Sequence, residues 1–338
     1  MLPTDTDHPG PVAVEQAGRL GPADVAAVLA LVRRATDTDG VAPLSEHVLL
    51  HLRQGGQEPG RHLIVRDPTA GAGLVAYAHL DPTDAVEGAS AELVVDPGHR
   101  RRGHARRLVE ALLGLAAELA DGRLRLWSHG EAADATALAT AMGFVRVREL
   151  WQMRRSLYAA LPRVEVPAGV RLRGFEPADA DAVLAVNAAA FAEHPEQGRW
   201  TRADLDARLR EDWFDPAGLI LAVRDYGGTD DGELLAFHWT KVHGATRHSH
   251  DETGDGPDTA GSHAHEAIGE VYVVGVSPGA QGRGLGRLVT LVGLRYLRER
   301  GLTQAMLYVD ADNTAAVRTY TALGFARWDV DVQFQRQV

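Results

Sequence analysis

A chain of 338 residues is long enough for two domains of ordinary size, each able to bury its own core. Its formal net charge of −11 disfavours nonspecific binding to nucleic acid or to an anionic membrane, and 45% hydrophobic residues in alternating patterns argue against disorder. With no cysteine there is no disulfide, thiolate metal ligand or thiol nucleophile, so any acyl transfer must be direct or pass through an oxygen.

Residues 1 to about 11 read as a flexible tail rich in Pro, Asp and Thr, with neither a basic n-region nor an apolar h-region. No apolar run approaches the ~20 residues that cross a bilayer, and cytoplasmic residence is the expectation. From Val12 the pattern gives a strand, a helix from Pro22 to about Arg34, and a second helix near Leu44 to Leu52. Strands follow at His62–Arg66, Leu74–Leu80 and Ala89–Val95. The next residues, His99 to Arg107, are a basic run. One reading is a nucleic-acid patch, but the central Gly103 suggests another use. A helix at His104–Ala120, a strand at Arg123–Trp127, a helix at Ala133–Ala141 and a strand from Phe144 complete this half.

The stretch Leu161–Ala168, interrupted by Pro162 and Pro167, is the expected linker between domains at 12–158 and 168–338. After it come a strand at Val170–Leu172, helices at Ala178–Phe191 and Arg202–Glu211, and strands at Leu219–Val223 and Leu234–Lys241. The segment 244–267 is polar and aperiodic and carries His248, His250, His263 and His265. A solvated loop is favoured over a metal site there, because the histidines lack regular spacing on a helix, and no metal is expected. The run GEVYVVGVSPGAQGRGLG, residues 269–286, then reads as a strand, a tight turn and a glycine-rich loop opening a helix.

Part of this order occurs twice at one offset. Pro97-Gly98 matches Pro278-Gly279, Gly103 matches Gly284, and Gly143-Phe144 matches Gly324-Phe325, each 181 residues apart. A shared offset through loop, helix, strand and helix marks a tandem duplication. Each copy's loop leaves N–H groups unblocked at a helix N-terminus, where the dipole is positive and a phosphate can approach closely. Walker and dinucleotide fingerprints do not fit.

The loop residues Gln281, Gly284 and Gly286 form Q-x-x-G-x-G, and Arg100, Gly103 and Ala105 form R-x-x-G-x-A. This pattern resembles the GNAT superfamily of acetyl-CoA-dependent N-acetyltransferases. The resemblance implies an α/β chain of two tandem GNAT domains, each a mixed, mostly antiparallel sheet flanked by helices. It implies acetyl-CoA as cosubstrate. It also implies a strand splayed from its neighbour, so that backbone N–H groups of Val274, Gly275 and Val276 hold the pantetheine and thioester oxygen. Leu93, Val94 and Val95 would do so in the first half.

The two copies differ in side chains. Glu270, Tyr320 and Asn313 of the second correspond to Ala89, Ala139 and Ala132 of the first. Amide formation from a thioester needs a base, since an amine with pKa near ~8 is mostly protonated at neutral pH. Glu270 is the candidate base, and Tyr320 the candidate acid for the departing thiolate. The competing reading is a solvated edge glutamate and a core tyrosine; their joint absence from the first copy favours catalysis. The first copy is then catalytically degenerate, with a structural acetyl-CoA site at most.

Further segments narrow the resemblance: residues 35–46, 190–198, 237–241, 269–276 and 307–313 are similar to the mycothiol synthases, a family of tandem-GNAT enzymes that acetylate the cysteinyl amine of cysteinyl-glucosaminyl-inositol. That likeness places the pseudo-disaccharide amine acceptor at Asp39, Glu193, Lys241, Glu270 and Tyr308. It places acetyl-CoA at Leu93 to Val95 with Arg101, Arg102, Gly103, His104, Ala105 and Arg106. In the second half it adds to Val274–Val276 the loop residues Gln281, Gly282, Arg283, Gly284, Leu285, Gly286 and Arg287. The following helix supplies Asn313, Thr314, Ala315, Ala316, Val317 and Arg318. Asp39 lies in a TDTDG run that is also good turn chemistry, and the histidine-bearing insertion departs from the family. A monomer without nucleic-acid or membrane partners is expected. Two alternatives stay open: a GNAT for peptide or ribosomal-protein N-termini, and a noncatalytic acyl-CoA sensor.

Overall fold

The computed structural model describes residues 13–54, 60–67, 73–84, 87–119, 122–192, 195–227, 232–244 and 267–338. The chain divides into two units, one of residues up to 150 together with 329–338, the other of residues 151–328.

In the first unit β1 (Val14–Ala17), α1 (Pro22–Asp39), α2 (Glu46–Gln54), β2 (Arg61–Asp67), β3 (Gly73–Asp81), β4 (Ala89–Val95), α3 (His104–Ala117), β5 (Arg123–Ser128) and α4 (Ala133–Ala141) follow in order, and β6 (Val145–Ser156) leads out of it. The second unit holds β7 (Val170–Gly174), α5 (Ala180–Ala190), α6 (Pro195–Gly198), α7 (Arg202–Leu209), β8 (Leu219–Arg224), β9 (Leu234–His243), β10 (Ile268–Val276), α8 (Leu285–Glu299), β11 (Gln304–Asp310) and α9 (Thr314–Ala322). The last strand, β12 (Ala326–Gln337), leads back to the first unit.

Strand order in the first unit is β1-β2-β3-β4-β5-β12. Only β4 and β5 run parallel; the other pairs are antiparallel. In the second unit the order is β6-β11-β10-β9-β8-β7, with β10 and β11 parallel. Each unit has the mixed sheet and flanking helices that the sequence resemblance implies. The duplication hides one feature: the end of each copy's last strand belongs to the other unit, β12 from residue 329 and β6 from residue 151.

Apolar spacing decides which helix faces are buried. In the first unit Val28, Leu31, Val32 and Ala35 of α1 pack with Leu44, Val48 and Leu52 against Ile64, Tyr77 and Val94. The α1 helix runs on to Asp39, five residues beyond the expected end near Arg34, although Thr and Asp are poor helix formers. Burial of Ala35 and a bidentate ion pair from Asp39 to Arg100 offset that preference. Gly40 then ends the helix at φ 73°, its N–H donating to the Thr36 carbonyl.

In the second unit Val183, Val186 and Leu205 pack with Phe237, Trp239 and Val273 on one side of the sheet. Leu285, Leu288 and Val289 of α8 pack with Leu235 and Ala236, and its later turns join Val271, Leu307, Leu323 and Phe325. The alternation of Val271 and Val273 between these clusters reflects a β-bulge. Val271 pairs with Thr240 but Val273 with Trp239, so Tyr272 is the extra residue.

Candidate active site

Two strands part company at the centre of the second unit. The ladder between β10 and β11 covers only Gly269–Val271 opposite Ala305–Leu307, although β10 continues to Val276 and β11 to Asp310. Past Val271, β10 keeps its partner β9 from Val273↔Trp239 to Val276↔Ala236. Alternate peptide groups of Val273–Val276 therefore face the opening without a strand ladder. The same opening exists in the first unit, where β4 and β5 pair only at Ala89–Ala91 with Leu124–Leu126 and Leu93–Val95 lie beyond it.

The loop follows at the end of β10. After a turn at Pro278–Ala280, Gly282 and Gly284 take φ 73° and 77°, and Gly284 caps α8. No atom lies within 4 Å of where a Cβ would stand on either glycine. A side chain would project into open space above the helix N-terminus, where a diphosphate needs to approach. Gln281, Arg283 and Arg287 are exposed around it, whereas the Leu285 side chain is buried.

In the first unit the path is copied at Arg101 and Gly103, φ 62° and 83°; Arg101 is the non-glycine positive-φ residue among the described residues. Here the Arg107 guanidinium lies 3.6 to 3.9 Å from the Cβ position of Gly103 and donates to the Arg102 carbonyl at 3.1 Å. The matching position in the second unit is the buried Leu288. The His104 side chain is buried beneath the loop, 3.6 Å from Asp67, with its imidazole pKa lowered by burial and by Arg107.

Glu270 is on β10 within the last paired stretch, opposite Lys241 on β9 and Met306 on β11. Its carboxylate is buried and 2.6 Å from His243 Nε2. The Lys241 side chain on the neighbouring strand is buried, with its ammonium 4.9 Å from the Trp213 ring centre and 5.1 Å from that of Tyr272. Two aromatic faces thus replace part of the water a lysine loses on burial. The bulge at Tyr272 lets its ring enter this group, 5.7 Å from Trp239 and 5.2 Å from Trp213, and Arg208 donates to its hydroxyl. Tyr308, two residues past Met306, is 40% exposed and accepts from Gln152 at 2.8 Å.

Tyr320 stands elsewhere, packed on Phe325 at 6.0 Å in the cluster that contains Val271. Burial pushes its phenol up to about 12. Neighbouring β-residues point to opposite faces, so Glu270 and the Val271–Tyr320 cluster flank the β10–β11 opening from two sides. Asn313 caps α9, its side-chain oxygen accepting from the Ala316 N–H at 3.1 Å; Thr314, Ala315 and Arg318 are exposed on that helix, and Ala316 and Val317 pack inward. Asp39 lies in the first unit in its ion pair with Arg100, and Glu193 lies outside the described residues, as do residues 245–266 of the histidine segment. A cavity of about 530 Å³ lined by Asp212, Trp213, Asp215, Val242 and Arg300 shares Trp213 with the Lys241 site, and the β10–β11 opening does not line it.

The Acetyltransferase (GNAT) family model matches residues 31–144 and 186–325, one match per copy. A mycothiol acetyltransferase of Acidothermus cellulolyticus is 53% identical over 97% of this chain and 96% of its own, and one of Streptomyces avermitilis is 48% identical over 100% of both. The chain belongs to the mycothiol acetyltransferase family. It is an acyltransferase of the GNAT type, a class that uses an acyl-CoA cosubstrate. In fold, this mycothiol acetyltransferase relative is similar to a tandem GNAT protein from the clavulanic acid biosynthesis pathway, with a TM-score of 0.67 at 21% identity over 96% of this chain and 98% of that one. A GCN5-related N-acetyltransferase from Sphaerobacter thermophilus gives 0.62 at 24% identity, covering 96% and 95%.

Sequence reasoning missed four polar residues of this mycothiol acetyltransferase family member. His243 was signalled only by two-residue alternation after Trp239 and Lys241. The others form a buried group in the first unit. His129 Nδ1 is hydrogen-bonded to Asp331 at 3.0 Å, while its Nε2 is 3.4 Å from Glu92, an ion pair rather than a hydrogen bond. Burial alone would lower the His129 imidazole, but the two carboxylates push it up to about 10. Burial would raise Glu92, and His129 with the Ser45 N–H holds it below the usual carboxylate range.

Proposed function

We propose that the protein transfers acetyl from acetyl-CoA to the cysteinyl amine of 1D-myo-inositol 2-(L-cysteinylamino)-2-deoxy-glucopyranoside, forming mycothiol. Identity near 50% with mycothiol acetyltransferases over nearly the full length carries this reading. The second copy, 168–338, is the catalytic one, and the first, 12–158, is degenerate and retains a structural acetyl-CoA at most.

In this mechanism the diphosphate rests on the N–H groups at Gly282–Gly286, and the pantetheine enters between β10 and β11. Glu270 accepts a proton from the ammonium, directly or through water, and His243 orients the carboxylate. The freed amine attacks the thioester carbonyl; peptide N–H groups of Val274–Val276 stabilise the oxyanion, and collapse breaks the C–S bond. Tyr320 assists the departing thiolate. A phenol near 12 keeps its proton at neutral pH, yet it is a weaker acid than a thiol of pKa about 8.5. Hydrogen bonding to the sulfur is therefore the larger part of its help, with proton transfer late. Lys241 and Tyr308, with Asp39 and Glu193, contact the acceptor.

The test is acetylation of cysteinyl-glucosaminyl-inositol by purified protein against an N-terminal peptide. Faster acetylation of the peptide defeats the assignment, and acetyl-CoA binding without turnover of either favours a sensor.

A further inference from the structure

The sheet face that carries Glu270 continues past Tyr308 onto side chains with no role so far. Two contacts tie β6 to β11: Gln152 Nε2 donates to the Tyr308 hydroxyl at 2.8 Å, and the Leu157 N–H donates to the Thr303 carbonyl at 2.8 Å. An antiparallel register carrying both sets Arg154 beside Met306, which is itself the partner of Glu270. Arg154 donates from Nε to the Gln152 side-chain oxygen at 2.9 Å, and its guanidinium carbon is 4.5 Å from the centre of the Trp328 ring. Trp328 is 64% exposed.

Lys241, Glu270, Met306, Arg154 and Trp328 thus succeed one another across β9, β10, β11, β6 and β12. With strands spaced about 4.8 Å, three intervals carry the row about 14 Å from the strand of Glu270 to that of Trp328. The chemistry changes along it, from proton transfer at Glu270 to an exposed indole held by a guanidinium and an amide. A large exposed apolar ring is unfavourable in water unless something covers it. Pyranose and cyclitol rings offer C–H faces to an indole and hydroxyls to guanidinium and amide groups.

We propose that Gln152, Arg154 and Trp328 form the subsite for the polyol end of the acceptor, and so fix how far from Glu270 the acceptor's rings lie. This rests on the acceptor assigned under Proposed function. The hydrogen bonds from Tyr308 through Gln152 to Arg154 hold the shelf before substrate arrives, which lowers the cost of ordering it.

Steady-state kinetics of the full chain test this with two acceptors, cysteinyl-glucosaminyl-inositol and ring-free L-cysteinamide. Trp328→Ala raises KM for the first about tenfold with little change in kcat or in KM for acetyl-CoA, a loss of uniform binding. The kcat/KM preference for the full acceptor over cysteinamide falls by the same factor. Gln152→Ala gives a smaller shift in that direction, and Trp328→Phe, which keeps a stacking ring and guards against a folding defect, restores most of the affinity. Unchanged KM for the full acceptor in Trp328→Ala and Gln152→Ala overturns the subsite, as does an equal rise for both acceptors. Wild-type protein that ignores the full acceptor removes the functional reading instead, and the subsite with it.

Discussion

In the first unit Glu92 is the first side chain past the β4–β5 ladder, and its carboxylate is held by the Ser45 N–H and by His129, which Asp331 holds in turn. In the second unit Glu270 sits inside the β10–β11 ladder, and its partner among the described contacts is His243, whose side chain is 35% exposed. Both openings have a buried carboxylate and an imidazole. The first is closed into a carboxylate–imidazole–carboxylate group, while the second leaves a carboxylate with an accessible partner through which a proton can leave. On the proposed mechanism, the two units would differ in which carboxylate lone pairs are already engaged as well as in which residue types are present.

The largest effect that can break this comparison is kinetic. Glu270→Gln is expected to lower kcat about 100- to 10,000-fold while leaving acetyl-CoA affinity nearly intact, as read by thiol release and isothermal titration. Glu92→Gln should leave kcat within a few-fold. Equal losses in the two variants would show that the units do not divide the chemistry in this way.

Next in size is stability. His129→Ala leaves Glu92 and Asp331 buried without their cation and should cost roughly 3–5 kcal/mol in denaturant unfolding. His243→Ala leaves the buried Glu270 carboxylate without that partner, but the site opens to water on the His243 side, so it should cost less, about 1–3 kcal/mol, yet reduce kcat. A large stability loss there would make His243 structural.

The pH dependence sharpens the contrast further. Burial and the neighbouring His51 lower His62 to about 4, and burial with His51 and His62 lowers His79 to about 3. Unfolded histidine titrates near ~6.5, so the unfolded chain binds more protons below that pH and stability falls as pH drops from 6.5 towards 4. His129 has the opposite sign. Its contribution is fully present below about 6.5 and is lost as pH rises through about 10. Melting temperatures across pH should show both limbs, the acid one flattened by His79→Asn; an unchanged acid limb would mean these histidines titrate normally.

The smallest expected effect is at the loops. Arg101 adopts a conformation that costs an L-residue about 1–2 kcal/mol, whereas Gly282 occupies the matching place freely. Arg101→Gly should therefore raise unfolding stability by less than about 1 kcal/mol, and Gly282→Ala should lower it by a similar amount while weakening acetyl-CoA binding. A destabilising Arg101→Gly would refute the strain.

Much of this was legible in the sequence because glycine and proline mark backbone geometry directly. The 181-residue offset located both loops, and it set Ala89, Ala132 and Ala139 against Glu270, Asn313 and Tyr320. The closed group in the first unit was not legible, since His129 and Asp331 are 202 residues apart and no local pattern links them. Nor was the bulge at Tyr272, which adds one residue to a strand without changing its composition. The last turn of α1 escaped because burial of Ala35 and an ion pair across 61 residues, neither visible in the local pattern, offset the propensity of Thr and Asp. The trading of final strands is invisible to any repeat analysis, because an offset is the same whichever sheet a strand joins.

That trade has a consequence for biogenesis. The outer partner of β5 comes from residues 329–338, which are synthesised only after the whole of the second unit. The first unit therefore waits, from the completion of β5 at Ser128 until Asp329 is made, with β5 as a bare edge, the kind of edge that invites wrong pairing. A polypeptide stopped at Trp328 should fail first in the half that was synthesised earliest, visible as aggregation or proteolysis within residues 13–150.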